Sequence, residues 1–377
     1  MTKPTILVTG ATGKTGSAVV AQLRERQWPV RAIVRSRDAR SERIERLGAD
    51  IAVADMFDYD ALRAAMAGIS RAYFCPPFHP HMLQSAVTFA LAARDAKIES
   101  IVGLTQWLAS PSHPSLSTRQ HWLADRLFAL LPDIGLTIVN PGLFADSPYL
   151  ALMRYAALLG VFPMPAQRTS RNAPPSTDDI ARVSVAALID PATHAGKTYR
   201  PTGPELLSLE DMAGIVSDVL GRRVRHVLLP LWMFFKAARM DGYDPFSLIA
   251  FGDYMHELNV GTFAFNAPTS DVLAATGNEP ESFETIARRY AALPQMQRTF
   301  SNVARALADF MSVPFRPGLD PERYAAQLSL PMAPMPLYDL ESERWKLEHA
   351  RHDAPPEIAR DGARVQPTSS REPVSCS

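Results

Sequence analysis

Cysteine is nearly absent from this chain: Cys75 and Cys376 are the only two in 377 residues, too far apart for any metal or redox spacing. A disulfide scaffold and a thiol-ligated zinc module are therefore excluded, and such low usage suits a reducing cytosol. No sign of charge is in excess. Lys plus Arg number 39 and Asp plus Glu number 39, so no general attraction to nucleic acid or to an anionic membrane is expected. Long apolar runs are missing as well. Stretches such as residues 86–93 fall far short of the length needed to span a bilayer. No leader is read ahead of the first apolar segment, which begins within a few residues of Met1. The expectation is a cytoplasmic protein with neither nucleic acid nor membrane as partner. A G-x-S-x-G nucleophile elbow is also lacking, so the serines between 110 and 117 read as a polar loop.

What is present begins with an apolar strand running into T-G-A-T-G-K-T-G, with Gly10, Gly13 and Gly16 spaced as G-x-x-G-x-x-G. Gly10 permits the sharp reversal after the strand. Gly13 lets backbone approach a pyrophosphate, and Gly16 lets the following helix lie close to the sheet. That helix presents free N–H groups and the positive end of its dipole to the phosphates. A second apolar strand, residues 30–34, ends at Arg35. An NAD site would place an acid near this point, whereas a guanidinium suits a 2′-phosphate, and Lys14 adds a second cation. The cofactor is read as NADP(H) in preference to NAD(H).

Strands then alternate with helices as far as residue 139, which predicts an α/β fold: a Rossmann-type, doubly wound parallel sheet. Ligands in such sheets lie outside the carboxyl ends of the strands. That rule gathers residues 10–16, Arg35, Asp55, residues 75–77, residues 105–107 and residues 141–144 into one ring. Later elements read as a smaller α+β cap, with Ser176 and Ser208 opening helices and an apolar cluster at Leu231, Trp232, Phe234 and Phe235. The expected divisions are a nucleotide-binding unit at 1–145 and a cap at 146–293. A helical, Pro-rich extension at 294–340 and an unstructured tail at 341–377 follow.

The first 290 or so residues resemble an NmrA-like protein, an atypical branch of the short-chain dehydrogenase/reductase superfamily. The similarity rests on V-T-G-A-T-G-K-T-G from Val8 to Gly16, V-R at Val34 and Arg35, A-D at Ala54 and Asp55, and the turn Pro76-Pro77. It continues in N-P-G-L-F from Asn140 to Phe144, D-D-I-A from Asp178, T-G-P-E-L-L-S from Thr202, and T-G-N-E-P-E-S-F from Thr276. The later pieces are similar to a subgroup with ergot-alkaloid reductases and quinone-reductase-like members. The resemblance implies that Gly10, Thr12, Gly13, Lys14, Thr15 and Gly16 hold the pyrophosphate. It implies Arg35 on the 2′-phosphate and Asp55 and Met56 on the adenine. Pro76, Pro77 and Thr105 would line the ribose and nicotinamide side, with Pro141 and Phe144 completing the ring. Asn140 stands where many relatives carry Arg.

Ordinary members of that superfamily protonate a carbonyl with Tyr, assisted by a Lys four residues later. Here those positions fall on Ser117 and His121. His121 could donate a proton, with Asp125 one turn further along raising its pKa, while Thr105 could bond a substrate oxygen or the nicotinamide ribose. His79, His81 and His113 lack accompanying Cys or acidic ligands, so no metal is expected. Two roles stay open. One is an NADPH-dependent reductase passing hydride to a small apolar acceptor, such as a quinone or iminium, without a dedicated acid. The other is a non-catalytic NADP(H) sensor acting through a protein partner.

Overall fold

The computed structural model describes residues 3–350. Six strands come first: β1 Ile6–Val8, β2 Val30–Val34, β3 Asp50–Val53, β4 Arg71–Phe74, β5 Ser100–Leu104 and β6 Gly135–Val139. Between them run α1 Lys14–Glu25, α2 Ala39–Arg46, α3 Tyr59–Ala65, α4 Met82–Asp95 and α5 Leu116–Ala129. A short strand, Thr198–Tyr199, joins beyond β6, giving the order β3-β2-β1-β4-β5-β6 and then Thr198–Tyr199. Every pair in this sheet is parallel, with Ile6 opposite both Val30 and Arg71. Such a sheet buries both faces, so its strands are apolar almost throughout.

The period-two alternation sends neighbouring side chains to opposite layers. Ile6 and Val8 pack with Val19, Leu23, Ile180 and Val183 under α1 and the helix Thr177–Ile189. Leu7 points the other way, into Leu62, Phe74, Phe89 and Phe128 under α3, α4 and α5. There the ring of Phe74 lies 4.8 Å from Phe89 and 4.9 Å from Phe128.

Two small two-stranded pairings build the cap. Val161–Met164 runs parallel to Arg225–Leu228, and Arg171–Asn172 pairs antiparallel with Leu207–Ser208. The expected helix starts are present. Ser176 Oγ accepts the Asp179 N–H at 2.9 Å, and Ser208 forms a capping box with Asp211. Each such cap contributes about 1 kcal/mol. Leu231–Met240 and Pro245–Val260 complete the cap wall, the second helix having no counterpart in the sequence reading. Of the aromatic cluster, Phe234 and Phe235 are buried against Leu248, while Trp232 is exposed.

One boundary needs correction. The stretch from residue 341 onward, read as an unstructured tail, contains the helix Glu343–Ala350. Trp345 on that helix is buried, and its Nε1 donates to the carbonyl of Trp107 at 3.3 Å. The sequence there is charged and nearly free of aliphatic residues. A single tryptophan docking into a distant part of the fold supplies the stabilisation that periodicity would normally announce. The remainder of the expected tail, with Cys376, lies outside the described residues.

Candidate active site

The glycine turn has the local geometry its spacing demands. Gly10 has φ +60°, and a Cβ there would come within 3.0 Å of the Cys75 side chain. A Cβ on Gly16 would meet the Gly10 carbonyl O at 2.2 Å, so only glycine allows α1 to begin so close to β1. Gly13 caps α1 with no side-chain hydrogen bond, leaving the first-turn N–H groups available to an anion. Thr9 ties the turn to the next strand. Its Oγ1 accepts the Cys75 N–H at 2.8 Å, and its hydroxyl is placed to donate to the carbonyls of Tyr73 and Cys75, each at 3.2 Å. Burial pushes the Cys75 thiol up, with Thr15 Oγ1 at 3.7 Å pulling the other way.

Arg35 follows β2 and is exposed. Among the described residues it has no ion pair, whereas Arg37 is held by Glu45 at 3.1 Å. Asp55 accepts the Phe57 N–H at 3.0 Å, fixing the turn after β3, and Met56 packs under the sheet. These positions fit a dinucleotide: a glycine cradle that any Cβ would fill, uncapped helical N–H groups, and an available guanidinium at the end of the second strand.

Next to the cradle opens a cavity of about 780 Å³. Lys14, Cys75, Pro76, Thr105, Pro141 and Phe144 of the expected ring line it, together with Gln106, Trp107 and His121. Arg35, Asp55, Met56 and Pro77 are not part of its wall. The other side comes from the cap: Tyr155, Phe234, Asp241, Tyr243, Phe251 and Tyr254. Phe251 and Tyr254 lie in Pro245–Val260, the helix missed from sequence, and Tyr243 just before it. Its signal was present in Asp244-Pro245, a capping acid followed by proline at the first helical position.

His121 does not have the charge state expected of it. Burial drives its imidazole down to about 4, although a hydrogen bond to the Ser117 carbonyl works in the opposite direction. Its Nδ1 lies 2.8 Å from both Ser117 O and Gln106 Nε2. Near neutral pH it is therefore an uncharged imidazole, not an imidazolium acid. Asp125 does not raise it. That carboxylate accepts the Thr105 hydroxyl at 3.0 Å, and burial pushes Asp125 up to about 7. With its proton committed to Asp125, Thr105 offers lone pairs to the cavity. Gln106 Oε1 accepts from Tyr254, whose phenol is pushed up by burial and is correspondingly a weak acid. On the cap side, burial pushes the Asp241 carboxyl up while Arg154 opposes the shift.

The three histidines considered as metal ligands do not share a site. His79 and His81 are neighbours on the surface, their rings 5.5 Å apart. His113 is buried with Glu257 and Asp339, ligand-type atoms of all three lying within 4.8 Å of one another. His113 Nδ1 accepts the Ser115 N–H at 2.9 Å, so in the neutral ring Nε2 carries the proton and donates to Glu257 at 3.2 Å. The nitrogen nearest the carboxylates is thereby occupied as a donor.

A parallel Rossmann sheet with its glycine cradle opening on a capped, aromatic-walled cleft defines an NAD(P)-binding oxidoreductase fold of the atypical short-chain dehydrogenase type. Residues 2–104 match the NmrA-like family model. The chain is 31% identical over 299 residues to an NAD(P)H azoreductase of Xenophilus azovorans, covering 76% of this chain and 98% of that protein. It is also 26% identical over 232 residues to a festuclavine dehydrogenase of Aspergillus fumigatus, covering 59% and 76% respectively. An NADPH-dependent quinone oxidoreductase of Escherichia coli, solved with NADPH, superposes with a TM-score of 0.63 at 22% identity, covering 75% of this chain and 99% of that one. The chain belongs to the NmrA-like family.

Proposed function

We propose that this protein is an NADPH-dependent reductase passing a hydride to a small, apolar, electron-poor acceptor such as a quinone or iminium, with no Tyr/Lys acid pair. The observation that carries this reading is the cavity itself. Space of about 780 Å³ adjoins the glycine turn, and its walls are largely apolar, with several aromatic rings among them. That volume lies in the range of small-molecule sites, roughly 300–1,000 Å³. The relatives named as azoreductase and dehydrogenase, both oxidoreductases, support the same class of activity.

In this reading the turn residues and Lys14 hold the diphosphate, and Arg35 meets the 2′-phosphate. Thr105 accepts a hydrogen bond from the ribose or the substrate. The nicotinamide, when bound, supplies the hydride. The chain's own contribution is to orient the acceptor and exclude water; His121 is neutral and Tyr254 weakly acidic, so neither replaces the Tyr/Lys pair as an acid. The test is anaerobic NADPH oxidation with a panel of quinones and cyclic imines, beside a Gly13→Asp control. Acceptor-dependent oxidation that disappears in the control supports the reductase. Tight nucleotide binding without oxidation by any acceptor supports the sensor instead.

A further inference from the structure

Asp241 ends the helix Leu231–Met240 and lines the cavity from the cap side. Among the described residues its carboxylate has no ion pair or hydrogen-bond partner. The nearby guanidinium of Arg154 is already engaged, by Asp309 at 3.1 Å and by the Tyr155 hydroxyl at 2.9 Å. Lys14, the cation on the cavity wall, belongs to the glycine turn, where cofactor phosphates would neutralise it. What faces an acceptor is then a set of aromatic rings, including Phe234, Tyr243 and Phe251, and one available carboxylate. Aromatic faces attract organic cations, and a carboxylate at their edge adds to that attraction while repelling anions.

We propose that Asp241 is a specificity-determining residue that selects planar aromatic cations as hydride acceptors over neutral or anionic ones. The proposal rests on the reductase reading above. It also accounts for the missing acid. When a hydride leaves the nicotinamide for an electron-poor ring carbon of a cation, one C–H bond breaks and one forms. The positive charge passes from acceptor to nicotinamide, and no proton is required. A neutral quinone, by contrast, becomes an anion and must take up a proton.

The experiment compares wild type with Asp241→Asn and Asp241→Glu at pH 8. N-methylacridinium is the cationic acceptor, menadione the neutral one and anthraquinone-2-sulfonate the anionic one. Asp241→Asn is expected to lower the ratio of kcat/KM for N-methylacridinium over menadione by about tenfold, and Asp241→Glu to restore most of it. An unchanged ratio overturns the proposal. Equilibrium dialysis of the two charged dyes gives a readout independent of turnover. Weaker binding of N-methylacridinium and tighter binding of the sulfonate by Asp241→Asn support the assignment, and equal binding by both proteins overturns it. Absence of turnover with every acceptor would count against the reductase reading, while the dialysis result would still decide the role of Asp241.

Discussion

Asp125 shows how a buried carboxyl couples site geometry to pH. Its folded-state pKa is raised to about 7 by burial, against an ordinary value of 3.8. Across that interval the folded chain retains a proton that the unfolded chain releases. The stability contribution of this group therefore falls as pH rises through the window, and it does not return above it. Asp125→Asn keeps an acceptor for the Thr105 hydroxyl and removes the titration. Relative to wild type, the variant should gain roughly 1–4 kcal/mol between pH 5 and pH 8. Urea melts at the two pH values check this, and a wild-type-minus-variant difference that stays constant with pH would contradict it. No single-sequence pattern reveals the Thr105–Asp125 pair. The two residues are 20 apart, on β5's outflow and on α5, and only the crossover connection brings them together.

At the level of elements, Trp107 is the joint between the sheet and everything that follows it. Arg200 lies 3.5 Å from the centroid of one of its ring faces, and its Nε1 donates to Thr262 O at 3.2 Å. Trp345 meets it edge-on at 5.5 Å, with His349 stacked on Trp345 at 4.2 Å. The helix Glu343–Ala350 is further held by the ion pair of Glu348 with Arg126 at 3.0 Å, so it clamps both the loop after β5 and α5. Trp345→Ala should cost about 3–5 kcal/mol, the usual range for emptying a large aromatic site. Because Trp107 also lines the cavity, the variant should raise acceptor KM more than it lowers kcat. Thermal melts and steady-state kinetics together check this; a stable variant with wild-type KM would show that the helix is not a support for the site. The contrast with what was legible in sequence is instructive. The turn at Gly10, Gly13 and Gly16, the caps at Ser176 and Ser208, and the alternation around Leu7 are local rules and could be read directly. Tyr254 and Trp345 depend on contacts with Gln106 and Trp107, more than 100 residues away. Their neighbours in sequence say little about where they end up.

On the scale of the whole molecule, a dinucleotide lying across the ends of β1, β2 and β3 would stabilise the folded chain by mass action, and that linkage isolates the part played by Arg35. A ligand at 100 times its Kd adds about 2.7 kcal/mol to stability, provided it binds only the folded state. Removing the guanidinium should forfeit its charge-assisted bonds to a 2′-phosphate, roughly 1.5–3 kcal/mol of binding free energy. At the same NADPH concentration, Arg35→Ala would then retain no more than about 1.4 kcal/mol of the added stability. NADH, which lacks the phosphate, should protect wild type and variant to the same extent. Thermal melts with each nucleotide provide the measurement, and they require no knowledge of the acceptor. The side chain is exposed and, among the described residues, free of ion pairs, so the substitution should leave the apo melt essentially unchanged. Equal loss of protection by both nucleotides would mean that Arg35 supports the strand end and not the phosphate, and the preference for NADPH would then have to come from Lys14 or elsewhere in the turn.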